Sequence, residues 1–104
     1  MRRLRRFERL FVELAAEVDP QLAAALHVVW ARCLPDSYAL ALPFTATDRW
    51  VLVCEARWWA EPEQRADTAA HEIAHLLSGD YGHGPKFRRA FRRLLRISRE
   101  MEWT

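Results

Sequence analysis

His71-Glu72-Ile73-Ala74-His75 lies inside a longer stretch, Pro62 to Ser78, that reads as one helix, and this stretch decides the fold. Residues i and i+4 of an α-helix lie one above the other on a single face, so His71 and His75 can aim a ring nitrogen at one metal ion. Glu72, one position on, sits beside that pair, where it can reach a metal-activated water without taking a coordination place. Pro62 suits a first helical turn, and Gly79 suits a left-handed cap after the last one.

Working outward, three of the four histidines fall between positions 71 and 83. The glycine-containing segment Gly79-Asp80-Tyr81-Gly82 is a short loop that can fold His83 back over the face carrying His71 and His75. Three imidazole ligands leave the fourth place of a tetrahedral ion open, the mark of a catalytic rather than a structural zinc site. Gly84-Pro85 then starts a last helix, on which Phe87, Phe91, Leu94, Ile97 and Met101 face inward while Arg88, Arg89, Arg92, Arg93, Arg96 and Arg99 face out.

Upstream, residues 2–18 read as a first helix with Leu4, Phe7, Leu10, Phe11, Leu14 and Val18 on one side and Arg2, Arg5, Arg6 and Arg9 opposite. Asp19-Pro20 caps a second helix, whose stripe of Leu22, Ala25, Leu26, Val29 and Trp30 predicts an end near Leu34-Pro35 and puts His27 at a core or boundary position. From Tyr38 to Phe44 bulky and small residues alternate with a period of two. This predicts a strand, with Pro43 placing it at a sheet edge or strand end. Thr45-Ala46-Thr47-Asp48 is a turn, and Trp50-Val51-Leu52-Val53-Cys54 is the second strand of a hairpin. The expectation is a single α+β domain over residues 1–104: N-terminal helices, a short β-hairpin, the helix of the HExxH motif and a C-terminal helix.

Composition fits one folded domain. The 104 residues are 51% apolar and 29% charged, with five Trp, and the net charge of +2 points to no particular partner. Cys33 and Cys54 form neither a close pair nor a ligand cluster, so they are expected as buried apolar residues in a reducing cytoplasm. Glu8, Glu13 and Glu17 put charges into the segment after the Arg-rich start, and no apolar run approaches membrane-spanning length. Neither a secretion signal nor a membrane span is expected.

The pattern His71-Glu72-Ile73-Ala74-His75, then Gly82-His83-Gly84-Pro85-Lys86-Phe87, resembles the core of the SprT-like zinc metallopeptidases, whose motifs are HExxH and a downstream HGPxF. The resemblance covers residues 38–100. It implies a zincin-like fold, one Zn2+ ion, His83 as the third ligand beside His71 and His75, and peptide-bond hydrolysis with Glu72 as general base. No cysteine zinc ribbon follows the core here. In that compactness the chain is similar to the minigluzincins, in which a glutamate on a later helix takes the third ligand place; that makes Glu100 the rival to His83, with Asp80 a weaker one.

Further roles attach to this reading. Asp67, one turn before His71, is the expected acceptor that orients that ring. Tyr81 and Tyr38 are candidates for steadying a developing oxyanion, and Trp58-Trp59 for lining a subsite. A peptide substrate would add as a strand beside residues 38–44. The competing reading is a latent or non-catalytic zinc-binding module, capped by a cysteine or by Glu100 and Glu102, and associated with DNA through the arginine face of Arg88, Arg92, Arg96 and Arg99.

Overall fold

The structure is a computed structural model, and it describes residues 5–31, 39–44, 49–55, 61–79 and 82–103. The order of elements is α1 (Arg5–Val18), α2 (Pro20–Ala25), β1 (Leu26–Ala31), β2 (Ala39–Phe44), β3 (Arg49–Glu55), α3 (Pro62–Ser78) and α4 (Pro85–Arg99). A small α+β fold results, as expected.

Helix α1 buries Phe7, Phe11 and Leu14 of the expected stripe and Ala15 beside them, while Leu10 and Val18 are only partly buried. Residues 2–4, expected to begin it, lie outside the described residues. Asp19 then caps α2: its carboxylate accepts from the backbone N–H groups of Gln21 at 3.0 Å and Leu22 at 3.2 Å, with Pro20 in the first turn.

The second helix does not run to Leu34. It stops at Ala25, and Leu26–Ala31 forms strand β1, paired in parallel with β3 from Leu26↔Trp50 to Ala31↔Glu55. The segment Leu26-His27-Val28-Val29-Trp30 is β-branched and aromatic, suited to a pleated surface. A six-residue helix has little stability of its own, whereas the parallel ladder binds the backbone of every second residue to a neighbour. Burial alternates accordingly: Leu26 is buried, His27 exposed and Val29 46% exposed. His27 is therefore a solvent-facing strand residue, not a core or boundary helix residue.

Strands β2 and β3 pair antiparallel from Ala39↔Cys54 to Phe44↔Arg49, which is the hairpin expected from the sequence. Its turn at 45–48 and Tyr38 lie outside the described residues. Among the described residues the sheet has three strands rather than two, in the order β1-β3-β2. Pro43 thus sits on an edge strand, where a missing N–H is tolerated. Central β3 turns Leu52 and Cys54 into the core, where they are 0% and 1% exposed.

Helices α3 and α4 form the largest helix–helix contact and run antiparallel, Ala66 lying against Ser98 at one end and His75 against Phe87 at the other. The buried Ser98 hydroxyl donates to the Ala66 carbonyl at 2.8 Å, so no polar group is left unpaired there. Trp103 folds back onto the helices: its Nε1 donates to the Ser98 carbonyl, its own carbonyl accepts from Arg65 Nη1, and its ring meets Phe11 edge-on at 5.3 Å. Phe11, Leu14, Leu52, Ile73 and Leu94 centre the core, and burying each stabilises by roughly 1.5–3 kcal/mol. Among the described residues no helix is long and apolar enough to cross a membrane.

Candidate metal centre

The site is assembled by the end of one helix and the start of the next. Ala69, Ala70, Ile73, Ala74 and Leu76 are buried and hold α3 against the core, and this turns His71 and His75 to the opposite, half-buried side. Gly79 ends α3 with φ +66°, and its N–H donates to the His75 carbonyl at 3.1 Å. That left-handed turn stops the helix after Ser78 and sends the chain back. Asp80 and Tyr81 lie outside the described residues. Gly84 then precedes α4, and its carbonyl accepts from the Arg88 N–H at 3.0 Å. Because α4 returns antiparallel to α3, His83 at its mouth arrives beside His71 and His75.

The Nε2 atoms of His71 and His75 are 3.1 Å apart, and the ligand atoms of His71, His75 and His83 all lie within 4.8 Å of one another. Two nitrogens bound at about 2.0–2.1 Å to a tetrahedral ion stand about 3.3 Å apart, so the first pair is already at ligation distance. Burial first, and then the neighbouring His75 and His83, push the His71 imidazole down from 6.5 to about 4. At neutral pH it is uncharged, the form that binds metal. Three imidazoles that face one another at this spacing fit a divalent first-row ion. His83 is exposed, so the group opens to solvent on that side.

Glu72 is 8% exposed, and burial raises its carboxyl from 4.5 to about 7. Its proton is thus exchangeable near neutral pH, which suits a general base. Behind it on β3, the buried Cys54 thiol is driven upward, first by burial and then by the charges of Glu72 and Glu8. It is held as a neutral thiol, so Cys54 acts as an apolar core residue as expected and stands outside the ligand group.

Other expectations are corrected by position. Glu100 is exposed beyond the last turn of α4, sixteen residues after Gly84, or about 24 Å along the axis at 1.5 Å per residue. It stands at the far end of the helix from His83, as does Glu102, so neither completes nor caps this group. Asp67 does not orient His71. Its two oxygens accept from Nε and Nη2 of Arg99, both at 3.1 Å, in a solvent-exposed fork across α3 and α4. Arg88, Arg89, Arg92, Arg93 and Arg96 point outward as expected, and Arg99 is engaged by Asp67. Tyr38, Trp58, Trp59, Asp80, Tyr81 and Cys33 lie outside the described residues.

One neighbour reads in the sequence as an inward-facing residue and as the last position of the HGPxF-like stretch, with no role of its own at the site. Phe87 packs its ring against all three imidazoles, with centroid separations of 5.1 Å to His71, 4.4 Å to His75 and 4.8 Å to His83. His83 and Phe87 are only four residues apart across the start of α4, so this one contact is local in sequence. The other two depend on how α4 packs on α3. No protein-family model, curated protein or solved structure matches the chain.

Proposed function

We propose that the protein is a zinc-dependent metallopeptidase with a zincin-like arrangement, in which His71, His75 and His83 hold one Zn2+ and Glu72 is the general base. The observation that carries this reading is the three-imidazole group with the buried Glu72 one residue along the same helix. When bound, the ion supplies Lewis acidity towards water and the scissile carbonyl oxygen. Everything else is the work of the chain. Glu72, its basicity raised by burial, takes the proton of the attacking water and returns it to the departing amine. The uncharged His71 keeps its lone pair available without first having to lose a proton. Exposure of His83 gives an extended chain a route to the centre.

The substrate class is a peptide or an unfolded protein segment. Edge strand β2 runs beside α3, and an extended peptide added along it would pass the site with its backbone hydrogen-bonded to the sheet. The same reading assigns the enzyme to the cytoplasm, where the buried thiol of Cys54 stays reduced.

The test is digestion of a diverse unstructured peptide mixture by the zinc-loaded protein, followed by mass spectrometry, beside Glu72→Gln. Cuts made only by the native protein support the peptidase. Equal zinc binding by both proteins with no cuts from either refutes it and leaves a zinc-binding module.

A further inference from the structure

We propose that Phe87 is a positioning residue for the metal centre: its ring fixes the orientations of His71, His75 and His83 together, so the tripod stands formed before the ion arrives. This rests on the metal-binding reading above and adds to it a residue that touches neither ion nor substrate. The Phe87 ring lies tilted 31° over His75 at 4.4 Å, close to an offset stack, and stands at 69° to both His71 and His83. An imidazole turns about two side-chain bonds, and a flat neighbour at these distances blocks most of those rotations. Aromatic pairs favour offset and edge-to-face arrangements of this kind over free rotation.

Phe87 is itself held. It is 5% exposed in the first turn of α4, and Phe91, one turn on, lies 5.6 Å from it and 5.7 Å edge-on from His71. The chain thus supports its ligands with a hydrophobic floor on α4. The carboxylate that the sequence offered for orienting His71, Asp67, is occupied by Arg99. Ring orientation fixed by packing lowers the ordering cost that metal binding must otherwise meet, as preorganisation does for any ligand.

The test compares Zn2+ affinity, by competition with a chromophoric chelator, and the visible absorption of the Co2+-loaded protein. The proteins are the native chain, Phe87→Leu and Leu94→Ala. Leu94 is fully buried on the same helix two turns further on and serves as the measure of a purely structural loss. Phe87→Leu is expected to weaken zinc binding by about 10- to 100-fold, the range for residues that orient metal ligands, and to alter the Co2+ bands. Leu94→Ala, although destabilising, is expected to leave both within about threefold of native, since positioning by neighbours is a local effect.

A folded Phe87→Leu that binds zinc as tightly as the native protein overturns the proposal. So does affinity that falls in step with stability in both variants. Should Phe87→Leu not fold, nuclear magnetic resonance of the native metal-free protein decides. Ring-current-shifted proton resonances for all three histidines support the floor, and free-histidine positions overturn it. A native protein that binds no zinc overturns the metal reading itself, whereas native binding with an indifferent Phe87→Leu overturns only this inference.

Discussion

Replacing Glu72 by Gln is expected to stabilise the metal-free protein, by an amount that depends on pH in a calculable way. Burial raises the Glu72 carboxyl from 4.5 to about 7. Below pH 4.5 the group is protonated in the folded and the unfolded chain and contributes nothing. Between 4.5 and 7 the folded chain holds a proton that the unfolded chain has released, so stability falls as pH rises. Above 7 both are ionised and the full cost is present: at 1.36 kcal/mol per pH unit, about 3 kcal/mol. Gln carries no charge at any pH. Its advantage over Glu is therefore smallest near pH 4 and grows to about 3 kcal/mol by pH 8, on the order of 10 °C in melting temperature for a chain of this size. His71 acts in the opposite sense, because its depressed imidazole makes the fold lose stability as pH falls from 6.5 towards 4. That slope is common to both proteins and cancels in the difference. The assay is thermal unfolding by circular dichroism in chelator, from pH 4 to 8.5. A difference between Gln and Glu that stays constant across this range would refute the reasoning, since it would mean that Glu72 titrates as it does in water.

Three further outcomes rest on the geometry. Zinc at a hundredfold excess over its dissociation constant stabilises by about 2.7 kcal/mol; His83→Ala should lose most of that rise in melting temperature and Glu100→Ala should keep it, since only the first lies in the ligand group. Gly79→Ala is expected to cost about 1 kcal/mol in denaturant unfolding: φ +66° strains any residue with a Cβ, although an added Cβ would meet nothing within 4 Å. Asp67→Asn should leave zinc affinity within about twofold of native, as its carboxylate engages Arg99 and not His71; a loss of the order seen for ligand-orienting residues would restore it to the site.

What can be read from the chain divides by distance along it. The bounds of α3 are legible because Pro62 and Gly79 punctuate it locally, and the Asp19 cap and the edge position of Pro43 are legible for the same reason. The segment after Ala25 is not. Leu22, Ala25, Leu26, Val29 and Trp30 make a helical stripe, but Leu26, Val28 and Trp30 make an equally good strand face. What decides between them is a parallel partner, with Leu26 opposite Trp50, that no local pattern announces. Asp67 and Arg99, 32 residues apart, belong to the same class. A carboxylate one turn from a candidate ligand invites a role in orienting it, and only the packing of α4 on α3 shows which cation reaches it first.

Glu72 is the case in which a broken pattern is itself the information. Positions 69, 72, 73 and 76 fall at the i, i+3, i+4, i+7 spacing of a core-facing stripe, and Ala69, Ile73 and Leu76 fill three of them. The fourth holds a carboxylate. Reading Glu72 as lying beside the histidine pair understates its burial, because the stripe turns it inward, near enough for its charge to push up the Cys54 thiol. For folding alone an uncharged residue at 72 would avoid an ionisation cost of about 3 kcal/mol at neutral pH, a large share of the margin on which a domain of this size stands. A chain that keeps a charge there gives up that stability, and the burial responsible for the loss is what brings the carboxyl to about 7, where a base in hydrolysis is most effective. Stability and basicity at this position therefore move in opposite directions: a substitution that lets water in around Glu72 should firm the metal-free fold and, on the peptidase reading proposed above, slow cleavage as well.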